Sequence, residues 1–330
     1  MSKNKKRKQN KQAQKDTKKE TGENPNKKKK SKPQKPSMKK FDNQLHKTQS
    51  TFLSSLPTKV RENFFSNKYT DPETRAEIWS QQADIGEEAV NQYAWATPDE
   101  KCIKILKHFS KFGIVEVGCG ANAYWSRMMF ANGINVKAYD VSLGQGGQIT
   151  LGEKKGQSKL QKKESVAVKK FDDGFQIACG GPEVLKDKKN HKRTLFLCYP
   201  DEDLMEDEDG NVMESMGASC LEHFEGDTVI HVGELYGDTP SMDQAPWGRS
   251  SGAEFQQRLA SEYHCILRLR LQNWLHVNDT ISVWKRTELC TIVFQGEDDD
   301  ESDDEVCYRH IPKDQMLPTD VAAPCAKHLL

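Results

Sequence analysis

The stretch that decides the fold is VEVGCGANAYW, residues 115–125. It continues an apolar run from Ile114, passes two glycines two apart, Gly118 and Gly120, and enters a segment that reads as a helix. A buried strand, a tight glycine turn and a helix are the local form of a nucleotide-type βα turn, in which residues without Cβ let the backbone approach a ligand closely. Two ligands fit the letters. Gly118-Cys119-Gly120-Ala121-Asn122-Ala123 satisfies the alanine variant of G-x-G-x-x-G, the dinucleotide fingerprint. Glu116, two residues before Gly118, also makes an acidic-x-Gly-x-Gly motif, which leaves a second nucleoside-type ligand open.

Outward from the turn, a helix is expected over about 123–132, then a strand over 135–139 that ends at Asp140. A carboxylate at the tip of the second strand can accept from both hydroxyls of a ribose. Upstream, Thr97-Pro98-Asp99-Glu100 reads as a capping box with proline where no N–H is needed. Ile103, Leu106 and Phe109 follow as a helical stripe that closes at Lys111 and Gly113. Asp71-Pro72 marks an earlier helix to about Gln82, and Ser50 to Phe65 carries a short amphipathic pattern whose apolar side is Phe52, Leu53, Leu56, Val60, Phe64 and Phe65.

Downstream, strands are expected over 175–178, 194–199 and 228–232, alternating with helices over about 213–224 and, after a second capping box at Ser251 to Glu254, to about 260. That alternation implies a parallel sheet. The last two strands, 263–271 and 280–285, are joined through Asn278-Asp279. A connection that short holds no crossover helix, so this pair is antiparallel. The expected architecture is α/β: a doubly wound, mostly parallel seven-stranded sheet with a C-terminal antiparallel hairpin.

Residues 91–140 resemble a methyltransferase-like family with a Tyr-Ala-Trp-Ala-x-Pro run before the first βαβ unit, matched by Tyr93 to Pro98. The family's Gly-x-Gly turn followed by Tyr-Trp is matched by Gly118, Gly120, Tyr124 and Trp125; Tyr199-Pro200 and Val229 to Glu234 extend the likeness more weakly to about residue 290. The resemblance implies a Rossmann-like class I methyltransferase fold with S-adenosylmethionine as cofactor, held by Glu116, Gly118, Gly120, Asn122 and Asp140, with Tyr93 and Trp95 over the adenine. Two departures stand out. Asn122 replaces the third glycine of the turn, and Asp201 replaces the second proline after the fourth parallel strand, so the amine-methylating Asp/Asn-Pro-Pro-Tyr motif is not reproduced.

Composition bounds the rest. The 330 residues are 35% hydrophobic and 30% charged, with a mean hydropathy of −0.82, low for a chain folded throughout. A net charge of zero hides a segregation between the lysines of residues 2–40 and acidic blocks at 201–209 and 297–305. The organisation read from this is a disordered lysine-rich arm (1–50), a helical extension (51–90), the methyltransferase-like domain (91–290) with an insertion at 142–170, and an acidic, largely disordered tail (291–330). The arm has no aromatic residue before Phe41, so it lacks base-stacking groups; it suits a nuclear address or nonspecific RNA or acidic contacts. Nine scattered cysteines without a C-x-x-C pair, and no leader, fit a reducing compartment, nucleus, nucleolus or cytoplasm, rather than secretion. No histidine or cysteine spacing supports a metal site, and no apolar run is long enough for a membrane.

A methyl acceptor, protein or RNA, is expected at the carboxyl ends of the fourth and fifth parallel strands. Tyr199, Asp201 and His231 are the catalytic candidates, with Glu202, Glu234 and the Trp247-Gly248-Arg249 loop beside them. Two other readings stay open: a non-catalytic adapter that keeps the fold, and an NAD(P)-dependent oxidoreductase.

Overall fold

The computed structural model describes residues 41–144, 167–201, 214–239, 248–286 and 318–330. The lysine-rich residues 1–40, most of the insertion, both acidic blocks beyond Asp201, Glu202 and Trp247 lie outside them.

The sheet is built around β1 (Ile114–Val117), buried at every position between β2 (Val136–Tyr139) and β5 (Thr194–Cys198), both parallel to it. A strand covered on both faces needs a continuous apolar run rather than an alternating one, which Ile114, Val115 and Val117 supply. β4 (Gln176–Ala178) extends the parallel set beyond β2, and β6 (Thr228–Gly233) extends it beyond β5. β8 (Thr280–Arg286) runs antiparallel to both β6 and β7 (Tyr263–Arg270), the reversal that the short connection required.

The complete order is β3-β4-β2-β1-β5-β6-β8-β7-β9, so the described sheet is mixed and nine-stranded where seven strands were expected. The two additions are short antiparallel edges, β3 (Val168–Lys170) and β9 (Val321–Ala322). β9 also corrects the tail: residues 318–330 belong to the fold. Ala323 N–H donates to Ile266 O (2.8 Å), Asp320 accepts from Arg270 N–H (3.1 Å), and Ala326 is buried in the core. Their function is to satisfy backbone groups on the edge of β7 that would otherwise invite another chain. A two-residue strand carries no periodicity for a sequence to display.

Both faces are covered. α4 (Glu100–Phe109) and α5 (Tyr124–Ala131) pack Cys102, Ile105, Leu106, Trp125 and Met129 against Ile114, Phe196 and Ile230. α6 (Met216–His223) and α7 (Ala253–Glu262) pack Cys220, Leu221, Phe255 and Leu259 against Val115, Val117, Leu195 and Val229. The sequence misplaced two caps. Asp99, not Thr97, accepts from Cys102 N–H (2.8 Å) at the start of α4, while Thr97 bridges to Gln272. Gly252 caps α7 without a side chain, and its N–H goes to Asp201 instead.

The helical extension begins inside the presumed arm. α1 (Gln44–Ser55) is capped by Asn43, followed by α2 (Thr58–Glu62) and α3 (Pro72–Gln92). α3 runs ten residues past Gln82 because Ile85 and Ala89 continue its inward stripe. These helices sit on the β7–β8 connection: Phe52 meets Trp274 (5.8 Å), Trp79 stacks on His276 (4.2 Å), and Gln82 accepts from Leu275 N–H (2.9 Å).

Candidate functional site

Both glycines of the turn adopt left-handed backbone, φ +73° at Gly118 and +69° at Gly120, where a Cβ is disfavoured. The turn is fastened to the tip of β2: Gly118 N–H and Cys119 N–H donate to Tyr139 O (2.9 and 3.1 Å), and Gly120 N–H donates to Asp140 Oδ2 (2.7 Å). The carboxylate and the glycine pair therefore meet at neighbouring strand tips. A Cβ built on Gly120 would meet nothing within 4 Å, so the turn presents open space, whereas one on Gly118 would touch the Met216 methyl at 2.6 Å. Val141, next to Asp140, leaves an apolar side chain 55% exposed.

Glu116 lies beneath this turn. It is buried, and it accepts from Ser126 Oγ. Burial, and then the nearby Asp140 charge, push its carboxyl up to about 7 despite the Ser126 bond. Asp140 Oδ1 accepts from both the N–H (2.9 Å) and the hydroxyl of Ser142. Its two lone pairs on that oxygen are thus engaged by the chain itself, while Oδ2 keeps one.

A second group of side chains gathers at the carboxyl ends of β5 and β6, one strand away. Tyr199, immediately after β5, has φ +51°, rare for a bulky residue. Three contacts impose it: its N–H donates to Val232 O (3.0 Å), its ring stacks on Trp95 (5.6 Å, 17°), and its hydroxyl donates to Asp279 Oδ1 (2.7 Å). Burial raises the Asp279 carboxyl to about 7, the Tyr199 bond opposing and the Glu234 charge adding to the rise. The Arg249 guanidinium lies over the Trp95 ring (4.5 Å). Glu234 accepts from Arg249 N–H (2.7 Å) and Thr239 N–H (2.8 Å), joining the two ends of the chain on either side of residues 240–247. Trp95, Tyr199, Glu234, Arg249 and Asp279 thus form one constellation at the expected acceptor end.

The remaining sequence candidates are elsewhere. Asn122 turns from the glycine loop to the end of α3, donating to Gln92 O (3.0 Å) and Asn91 O (3.3 Å); beyond the two glycines, the left-handed residue is Ala123 (φ +45°). Tyr93 packs on Tyr124 (5.3 Å), the first residue of α5. Asp201 is buried, and its carboxylate accepts from Ser215 Oγ (2.9 Å), Gly217 N–H (2.8 Å) and Gly252 N–H (2.8 Å), holding the starts of α6 and α7. His231 is wholly buried inside β6 beside Phe255, with both ring nitrogens unpartnered; burial, then the Arg268 charge, lowers its pKa to about 3. Asp279, Ser142 and Val141 were not singled out in the sequence. Asp279 carried only a turn signal, and its position opposite Tyr199 is a tertiary fact.

Among the described residues no group of three His, Cys, Asp or Glu is placed to hold a metal, and no helix is long and apolar enough to cross a membrane. A cavity of about 480 Å³ opens at the amino ends of the strands, between Lys107, Lys111, Gly113 and Asn135, away from the glycine turn.

With the two short edge strands set aside and the other seven numbered in chain order, the sheet runs 3-2-1-4-5-7-6, a Rossmann-like order in which the seventh strand is reversed. The solved structures it matches include the methyltransferase domain of a bacterial Hen1 protein, 13% identical over 56% of this chain and 94% of that one, with a TM-score of 0.33. Another is magnesium protoporphyrin IX methyltransferase from Synechocystis, solved with S-adenosylmethionine bound, 11% identical over 75% and 98%, with a TM-score of 0.29. No protein-family model and no curated protein matches the chain. Its chemistry therefore has to be read from its own residues.

Proposed function

We propose that this chain is an S-adenosylmethionine-dependent methyltransferase, with the cofactor at the β1 and β2 tips and the acceptor at the β5 and β6 tips. The observation that carries the reading is the Gly120 N–H to Asp140 bond beside a turn with open space over Gly120. A carboxylate fixed there suits ribose hydroxyls, and Val141 offers an apolar face for the base.

Bound there, S-adenosylmethionine supplies an electrophilic methyl carbon. That methyl group would pass to an acceptor heteroatom, whose proton would need a base held by this chain. Asp279 is the best-suited group: its carboxyl, raised to about 7, is poised between forms at neutral pH, and Tyr199 fixes its orientation. Trp95 and Arg249 then shape the entrance. The acceptor is a protein or RNA group.

One observation favours the adapter reading: Ser142 already engages Asp140 Oδ1, closing the turn on itself. Calorimetric titration with S-adenosylmethionine, S-adenosylhomocysteine and NADH separates these readings. Methyltransferase identity requires saturable binding of the first two, abolished in Asp140→Ala and strengthened in Ser142→Ala. Binding of none leaves the adapter, and binding of NADH alone leaves the oxidoreductase.

A further inference from the structure

We propose that the solvent face of residues 58–69 is a docking surface for single-stranded nucleic acid, with Phe65 and Tyr69 as stacking groups and Lys59, Arg61 and Lys68 as phosphate partners. The sequence pattern put Phe65 inside with Phe64; the structure buries Phe64 and leaves Phe65 53% and Tyr69 37% exposed. Lys59, Arg61 and Lys68 are exposed on the same short segment, with Lys68 Nζ 5.4 Å from the Tyr69 ring centroid.

The segment is built to hold this display. Arg75, from α3, donates to Phe64 O (2.7 Å), Asn67 Oδ1 (2.8 Å) and Thr70 O (2.9 Å), so one guanidinium clamps the backbone on both sides of the exposed rings. Phe64 anchors it from below against Trp79 (6.1 Å). Rings ordered before binding lose little freedom on stacking. Over residues 58–75 the cations Lys59, Arg61, Lys68 and Arg75 stand with the carboxylates Glu62, Asp71 and Glu73, and the Thr74 hydrogen bonds keep Asp71 ionised, so the segment carries one net positive charge.

Exposed aromatics flanked by cations are what single-strand binders use: base stacking tolerates sequence, and the cations follow the backbone. The lysine-rich residues before Phe41 add phosphate affinity but no stacking group. The two contributions are therefore separable. The surface is also placed to matter, because Trp79 stacks on His276, in the connection that leads to Asp279.

The test is fluorescence anisotropy of the full chain with a labelled oligouridine of about 15 nucleotides, and with an RNA duplex of similar length, across salt. The F65A/Y69A variant is expected to bind the single strand at least about tenfold more weakly, with duplex binding and the salt slope unchanged. The K59A/R61A/K68A variant is expected to weaken both and to reduce the single-strand salt slope by about 2. Wild-type single-strand affinity in F65A/Y69A overturns the proposal, and so does an equal loss on duplex. Binding to phosphatidylserine vesicles that F65A/Y69A abolishes, without an RNA effect, overturns it in favour of a membrane surface. Should the double variant unfold, Tyr69→Trp in the intact chain serves instead: oligouridine must quench its fluorescence. None of these readouts depends on the cofactor.

Discussion

Gly120 and Tyr199 share a left-handed backbone at the tips of adjacent halves of the site, for opposite reasons. At Gly120 the conformation is nearly free and the space above it is empty. Gly120→Ala should therefore cost only about 1 kcal/mol in urea unfolding, yet put a methyl where the adenosyl group is proposed to lie. The expected signature is a large loss of S-adenosylmethionine affinity by calorimetry with a near-native unfolding midpoint; unchanged affinity would remove the cofactor from this turn. At Tyr199 the same angle costs about 1–2 kcal/mol, offset by the stack on Trp95 and the hydroxyl bond to Asp279. Tyr199→Phe keeps the stack and strands a buried carboxyl. Chemical denaturation should show a loss of about 1–3 kcal/mol, and the Asp279 carboxyl, followed by carbon-detected NMR, should titrate higher than about 7 because the Tyr199 bond lowers it.

At the level of elements, Asp201 joins the tip of β5 to the starts of α6 and α7 through three buried donors. Asp201→Ala leaves those donors unpaired, each costing about 1–3 kcal/mol. The variant should lose at least about 3 kcal/mol by equilibrium unfolding, whereas an acid serving chemistry alone would leave stability near wild type. The same residue shows what a sequence displays and what it hides. Strands buried on both faces, such as β1 and β5, announce themselves as continuous apolar runs, and the β7–β8 reversal follows from a connection too short for a helix. The glycine turn and Asp140 were legible because local spacing fixes where they meet. Asp201 and His231 were legible as chemistry but not as position: burial and partners come from elements 14 to 51 residues away. Asp279 stayed hidden for the same reason, being 80 residues from the hydroxyl that holds it. β9 was hidden because two small residues make no pattern.

Across the whole molecule, three fully buried titratable groups set how stability responds to pH. Glu116 and Asp279, each raised to about 7, hold protons in the folded state that the unfolded chain, at ordinary carboxyl values, has released. Each contribution is present at low pH and lost as pH rises toward 7. His231 acts in the other direction: lowered to about 3, it is neutral when folded while the unfolded imidazole holds a proton below about 6.5, so its contribution grows as pH rises through that window. Between pH 5 and 6.5 the folded state thus holds two protons to the unfolded state's one across these groups. Stability should fall with rising pH by about 1.4 kcal/mol per unit. Glu116→Gln or Asp279→Asn should flatten the slope, since each removes one carboxyl. His231→Leu should steepen it toward twice the wild-type value, because it removes the opposing imidazole, while also sparing two unsatisfied ring nitrogens. Urea midpoints measured at pH 5, 5.75 and 6.5 for the four proteins decide this; an unchanged or flatter slope in His231→Leu would mean that the imidazole is not held neutral in the core.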